Sequence, residues 1–388
     1  MTEHYCEKRP LRIAFDARYI RDSFGGIARY AHCLLSALAE TPSDDRFVVY
    51  FDPTLPASRF SVPELAPLPK VELRELRLGL YSPEEQFVWP GHLRRDHVDL
   101  FYSPYFALPL LADVPLVCTV HDLIFERDRN YGSGRWVRAY YRPMMWLGLR
   151  RAAGVFTVSE ATRRDLAAFY GSADKVAVVS EAAAKVFRWP LGGGLLAAVR
   201  ARLGLPERYL LAVGARRPHK NLGAAVRAFA RIQDQVPHTL VVVGRPEERY
   251  ADDVAAAVTS LAGGVRMLEI AAVAEEDLPA VYALADALVM PSLFEGFGLP
   301  ALEAMACGTP VVAANRSALP EVVGDAGVLV DAIDDGALAA ELLRVLSDEA
   351  LRVELRRRGL ARAARFSWQR SAATALGAFH KIVGRVPA

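Results

Sequence analysis

Short runs of apolar, often β-branched residues alternate with stretches of helical period along nearly the whole chain, and this alternation limits the fold more than any other feature. In the first half the runs fall at 11–15, 47–51, 116–120, 155–158 and 176–179. In the second half they fall at 209–213, 240–243, 265–270, 287–290 and 310–313. Each is almost wholly apolar instead of alternating polar and apolar, the pattern of parallel strands covered by helices on both faces. Between them Ile27, Tyr30, Ala31, Leu34, Leu35 and Leu38 share one helical stripe, as do Leu222, Val226, Phe229 and Ile232. The spacing predicts an α/β protein with parallel sheets.

A chain of 388 residues exceeds one ordinary core at about 150 residues per domain, so two large domains are expected. Phe187, Pro190 and the Gly192-Gly193-Gly194 run interrupt the alternation within 185–207, which places the boundary there and gives domains at 10–187 and 188–366. Ser367 reads as the N-cap of a terminal helix within 367–388. Its apolar face (Trp368, Ala372, Ala375, Leu376, Phe379 and Ile382) is expected to pack back toward the first domain.

The 47 basic and 45 acidic residues leave a formal charge of +2, so no global field favours nucleic acid and any phosphate site must be local. Asp286 breaks the longest apolar stretch, at 278–294, which argues against a membrane span. Glu3, Glu7, Lys8 and Arg9 precede no apolar run, so no secretory signal is expected. Cys6, Cys33, Cys118 and Cys307 form no C-x-x-C pair; neither a zinc site nor a disulfide framework is expected, and a reducing cytoplasm fits.

Ligands of open parallel sheets bind beyond the carboxyl ends of the strands, so the polar residues that follow each apolar run are the candidates. Gly25 and Gly26 stand where the first helix begins; their amides either meet an anion or serve a tight turn needing positive φ. No G-x-G-x-x-G fingerprint occurs there. His121-Asp122 follows 116–120, where imidazole and carboxylate either contact sugar hydroxyls and an acceptor proton or cap a helix. Arg216, Arg217 and Lys220 precede a helix starting near Asn221, as a phosphate site or as a solvated charge run. Gly244 ends the run at 240–243.

In the segment 291–303, Glu295 falls in an aromatic, glycine-flanked loop and Glu303 in the first turns of a helix opened by Pro300. Both carboxylates can accept hydroxyl hydrogen bonds. A helix-dipole role would account for Glu303 alone and leaves the loop carrying Glu295 unexplained. The segment 135–146, including Arg135, Trp136 and Trp146, mixes arginine and aromatics without acids. It is either a contact for an anionic membrane bearing a lipid-linked acceptor or a helix packed beside the site. The loop at 125–136 carries no assignable pattern.

Together these segments resemble the retaining glycosyltransferases of family 4, group 1, over nearly the whole chain. The likeness is carried by the E-x7-E element from Glu295 to Glu303, the glycine loop before Arg29-Tyr30, Thr119-Val120-His121-Asp122, Val158-Ser159-Glu160, Pro218-His219-Lys220-Asn221 and Phe366-Ser367-Trp368. It implies the GT-B fold, two Rossmann-like β/α/β domains facing each other across a cleft. It also implies that Glu303 binds the donor ribose. Glu295 would hold donor-sugar hydroxyls together with the backbone of Phe297, Gly298 and Leu299, while Lys220 neutralises the diphosphate. Gly25, Gly26, His121 and Asp122 would line the first-domain side, Gly244 the donor side, and the nucleobase would lie near Ile270, Ala271 and Val273. Two positions depart from the family: Ala215 replaces an arginine, whose part Arg216 or Arg217 would take, and Ala28 replaces a glycine.

The resemblance implies transfer of a hexose-type sugar from a nucleotide-diphosphate donor, with retained configuration, to a saccharide, lipid-linked or small-molecule acceptor. No Asp-x-Asp occurs, so no metal and no cofactor is expected, the nucleotide sugar being a substrate. The expected setting is cytoplasmic, with peripheral contact at the inner membrane face as the alternative for 135–146. Two other readings share the phosphate and ribose contacts: a GT-B epimerase of the nucleotide sugar, and a non-catalytic nucleotide-sugar-binding subunit.

Overall fold

A computed structural model describes residues 9–128, 131, 134–171, 174–331 and 333–384, the side chains of 134–139 excepted. The chain forms two compact units, one comprising the residues up to Glu181 together with the segment from Trp368, the other Ala182–Ser367. The division falls at 181 instead of 187 because Phe187 is buried in the second unit, its ring 5.9 Å from that of Tyr282.

The first unit is built on a seven-stranded parallel sheet in the order β3-β2-β1-β4-β5-β6-β7. Its strands are β1 (Arg12–Asp16), β2 (Arg46–Phe51), β3 (Val71–Glu75), β4 (Leu100–Ser103), β5 (Leu116–Val120), β6 (Gly154–Thr157) and β7 (Val176–Val178). The helices of this part are α1 (Gly25–Glu40), α2 (Glu85–Arg95), α3 (Ile124–Arg127), α4 (Gly134–Arg151) and α5 (Glu160–Tyr170).

The second unit carries a six-stranded parallel sheet in the order β10-β9-β8-β11-β12-β13. Its strands are β8 (Tyr209–Val213), β9 (Thr239–Val243), β10 (Met267–Ile270), β11 (Ala287–Met290), β12 (Val311–Ala314) and β13 (Val328–Val330). Helices α6 (Gly193–Leu203), α7 (Leu222–Ala230), α8 (Asp253–Ser260), α9 (Leu278–Ala283), α10 (Leu299–Ala306), α11 (Leu319–Val323), α12 (Asp335–Ser347) and α13 (Glu349–Ala363) belong to it. The closing helix α14 (Trp368–Val383) returns to the first unit, where it packs on α1 and β6. Gly154 permits this packing, since a Cβ there would lie 2.4 Å from Ile382 Cδ1.

Three strands escape a reading based on apolar runs. β3 is an edge strand carrying Glu72, Arg74 and Glu75, β13 is an edge strand of three residues, and β4 is only four residues long. In both sheets the strand order reverses beside the first strand, between β1 and β4 and between β8 and β11. Beyond such a reversal the chain leads to helices on opposite faces of the sheet, which opens a crevice at the carboxyl edge.

The amino edges are closed by ion pairs. Before β11, Asp286 accepts from Arg208 Nη2 at 3.1 Å and lies 3.2 Å from Nε2 of the fully buried His238. Burial pushes the Asp286 carboxyl up, but the neighbouring His238 and Arg208 outweigh it and bring it down to about 2. A depressed carboxyl contributes stability above its unfolded value, 3.8, and loses it as pH falls toward about 2. Urea titrations should therefore show Asp286→Asn less stable than wild type at neutral pH, with the gap closing between about pH 4 and pH 2. A gap independent of pH would contradict this assignment.

Candidate functional site

The strongest assembly lies at the carboxyl edge of the second sheet, where the loops leaving β8 and β11 meet. Because β8 and β11 are hydrogen-bonded neighbours, the two loops emerge side by side and join. The Leu293 amide donates to the His219 carbonyl at 2.7 Å, and Asn221 Nδ2 donates to the Pro291 carbonyl at 3.1 Å. Asn221 manages this in the left-handed region, φ 52°, at the break between a 3-10 turn and α7. Lys220 Nζ then donates to both oxygens of Glu295, at 2.7 and 2.9 Å. Glu295 is 8% exposed and the Lys220 side chain 19%, so the pair is shielded yet reachable.

The loop after β11 is fixed from two further directions. Ser317 Oγ, beyond β12, donates to the Glu295 carbonyl at 2.6 Å. Gly298 takes φ 109°, where a Cβ would lie 2.7 Å from Leu319 Cδ2. Leu299 and Pro300 then open α10, which brings Glu303 onto Tyr282, whose hydroxyl donates to Glu303 Oε2 at 3.0 Å. Glu303 is 2% exposed, and Phe297 is buried with its ring 5.7 Å from Phe366. The His219 ring stays neutral: burial, with Lys220 and Arg217 beside it, pushes it down to about 3. Lys220 is thus the cation of its turn that faces Glu295.

Arg216 does other work than its sequence position suggests. Its guanidinium is buried and donates to Gly244 O at 3.2 Å, to Asp252 Oδ2 at 2.8 Å and to Glu269 Oε2. Two carboxylates already neutralise it, so it acts as a strut joining the ends of β8, β9 and β10 instead of a phosphate ligand. Arg217 Nε donates to Glu247 at 2.6 Å. Gly244, at φ 145°, passes so close to the β8 loop that a Cβ would sit 1.9 Å from Gly214 O. Its N–H donates to Ile270 O at 2.9 Å. Beyond that carbonyl Ala271 is exposed and Ile270 and Val273 are half-buried, an open shelf at the end of β10.

At the carboxyl edge of the first sheet, α1 begins at Gly25, φ 40°, and a Cβ on Gly25 or Gly26 would meet nothing within 4 Å. His121, expected to offer its imidazole to a hydroxyl, instead turns both ring nitrogens inward. Nε2 is 2.8 Å from Pro104 O and Nδ1 is 3.4 Å from Glu181 Oε1. Because a carbonyl can only accept, Nε2 carries a proton. Asp122 Oδ1 accepts from the Ile124 amide at 3.0 Å, just ahead of the short helix α3.

Arg135, Trp136 and the other side chains of 134–139, with much of the loop at 125–136, lie outside the described residues. Further along α4, Trp146 is 45% and Leu147 41% exposed, and the Arg150 guanidinium lies 3.9 Å from the Trp146 ring centre. Ser317, Tyr282 and Glu181 were not singled out from sequence. Ser317 and Glu181 both follow a strand and were open to the same rule, whereas Tyr282 sits inside α9 and carries no local signal.

Comparison with known proteins gives the family and the fold. Residues 24–182 match the family described as Glycosyltransferase Family 4, and residues 199–362 that described as Glycosyl transferases group 1. The chain is 32% identical to the O-antigen chain mannosyltransferase B of Escherichia coli over 292 residues, covering 74% of this chain and 75% of that protein. Among solved structures, sucrose-phosphate synthase from Thermosynechococcus elongatus superposes with a TM-score of 0.76 at 24% identity, over 97% of this chain and 100% of the other. Anabaena Alr3699/HepE, in complex with UDP and glucose, gives 0.72 at 21%, over 95% and 99%. The two parallel sheets are those of the GT-B fold, and the chain belongs to the group 1 glycosyltransferases of family 4.

Proposed function

We propose that this transferase moves a hexose, mannose being the first to assay, from a nucleotide-diphosphate donor to a hydroxyl of a saccharide, lipid-linked or small-molecule acceptor. Transfer proceeds with retention and without a metal ion. The observation that carries the reading is the Lys220 ammonium held 2.7 Å from Glu295 at the strand reversal of the second sheet, on the loop next to the one that leads to Glu303. The mannosyltransferase B relative and the HepE complex with UDP and glucose support the donor class.

In the empty site Lys220 and Glu295 satisfy each other. An arriving diphosphate competes for the ammonium, which frees the Glu295 carboxylate to accept hydroxyls of the transferred sugar, while Glu303, oriented by Tyr282, accepts those of the ribose. As the bond from the anomeric carbon to the diphosphate breaks, charge grows on the leaving oxygen and Lys220 stabilises it in place. The acceptor oxygen bonds to the same face of the anomeric carbon and its proton passes to the departing phosphate. Arg216 takes no part, being neutralised elsewhere, and Arg217 contributes at most from the margin through its bond to Glu247.

Turnover with GDP-mannose or UDP-glucose should persist in excess EDTA, and the product should keep the donor's anomeric configuration by proton NMR. Lys220→Met should lower kcat by about 10²- to 10³-fold, the scale of losing one preorganised charge partner. Strict dependence on Mn²⁺ or Mg²⁺, or an inverted product, would contradict the scheme.

No described helix is long and apolar enough to cross a membrane. We propose that a cytoplasmic, peripheral contact reaches a lipid-borne acceptor through the exposed Tyr140, Trp146 and Leu147 of α4, with Arg150 and Arg151 at its end. The protein should co-float with vesicles containing anionic phosphatidylglycerol, and Trp146→Ser with Leu147→Ser should abolish flotation while leaving the melting temperature in place. Failure of the wild type to float would remove this contact.

A further inference from the structure

One carboxylate of the first unit stands apart from all the others that are buried. Among the described residues nine Asp and Glu are buried: Asp16, Asp45, Glu85, Asp96, Asp165, Glu181, Asp277, Glu295 and Glu303. Eight of the nine accept at least one hydrogen bond from a guanidinium, an ammonium, a tyrosine hydroxyl or a backbone amide. Glu181, 6% exposed, is the exception. Its polar neighbour is His121 Nδ1, 3.4 Å from Oε1, longer than a charge-assisted hydrogen bond.

Taking an ionised carboxylate out of water without donors is costly, and such groups in folded proteins are ordinarily satisfied. Neither oxygen of Glu181 is sealed from solvent as an orphaned atom, so a donor can still reach it. The residue stands three positions beyond β7, on the carboxyl edge that also presents Gly25, Gly26 and His121. Its surroundings are rigid: Ser371 Oγ on α14 donates to Ser180 O at 2.5 Å, and His121 is held by Pro104 O and by the Tyr30 ring, 4.7 Å away. Thr162 Oγ1 on α5 donates to the His121 carbonyl at 3.1 Å. An acceptor-only group fixed in this way is prepared for a donor-rich ligand.

A carboxylate repels phosphate, so the fitting ligand is neutral and rich in hydroxyls. Resting on the transferase reading above, we propose that Glu181 is a substrate-binding residue of this enzyme, accepting hydrogen bonds from sugar hydroxyls, with His121 as the positioning residue behind it. The hydroxyls belong either to the transferred sugar or to the acceptor, and binding data separate the two.

The test uses the full chain as wild type, Glu181→Gln and Glu181→Asp. Calorimetry compares GDP with GDP-mannose and UDP with UDP-glucose, and steady-state transfer is measured with the acceptor varied. Glu181→Gln should lower kcat/KM for transfer at least tenfold, leave the affinity for GDP and UDP alone unchanged, and melt no lower than wild type. Glu181→Asp should recover part of the loss.

If the transferred sugar is the ligand, the extra affinity of the nucleotide sugar over its nucleotide falls in Glu181→Gln; if it is the acceptor, that increment stays and the acceptor KM rises. Unchanged transfer in Glu181→Gln overturns the proposal. So does a lowered melting temperature with an equal loss for the bare nucleotides, the signature of a structural ion pair. A wild type that binds nucleotides but neither transfers nor discriminates nucleotide sugars would instead overturn the transferase reading itself, and the inference with it.

Discussion

The join between the loops leaving β8 and β11 is the constraint on which the donor side depends. The backbone bond from Leu293 to His219 and the amide of Asn221 on Pro291 set the spacing, and the Lys220 to Glu295 pair closes it. The residues of one loop are 70 or more positions from their partners in the other; adjacency of the two strands at the sheet's reversal makes them neighbours. Pairing offsets part of the cost of desolvating two opposite charges, and in the proposed scheme a diphosphate competes for the ammonium.

The two edges of each sheet divide the labour. Amino edges carry carboxylates with partners in place: Asp45 receives the Leu11 amide, Asp99 the Arg12 amide, and Asp286 meets Arg208 and His238. Carboxyl edges carry the candidate site, with Lys220 on Glu295 and Tyr282 on Glu303. Arg216 shows that position alone does not decide, since it lies on the functional edge yet spends its donors on Gly244, Asp252 and Glu269. In return it pins Gly244 against Gly214, a contact that only glycine allows.

Much of this was legible in the chain itself. Apolar runs are a direct record of strands buried on both faces, so β5, β8 and β11 were found to the residue, while β3 was hidden by the charges that its edge position tolerates. Lys220 stood out as one of three cations ahead of a helix after an apolar run, and Glu295 and Glu303 as two carboxylates in the glycine-flanked loop and the helix that follows it. The partners of His121 and Arg216 could not be read, because Glu181 and Glu269 are brought to them by β7 and β10, far along the chain. Sequence spacing reports which residue types stand at an edge, and the fold decides which of them already have company.

The central claim is that Lys220 and Glu303 grip different parts of one ligand, and its most direct measurement is the affinity of nucleoside against nucleoside diphosphate in two variants. Calorimetry with uridine, UDP, guanosine and GDP should show Lys220→Met weakening the diphosphates by about 10- to 100-fold, one to three kcal/mol, with nucleosides unaffected. Glu303→Gln should weaken nucleoside and diphosphate alike. Equal affinities for diphosphate in wild type and Lys220→Met, both folded by their melting curves, would contradict the account.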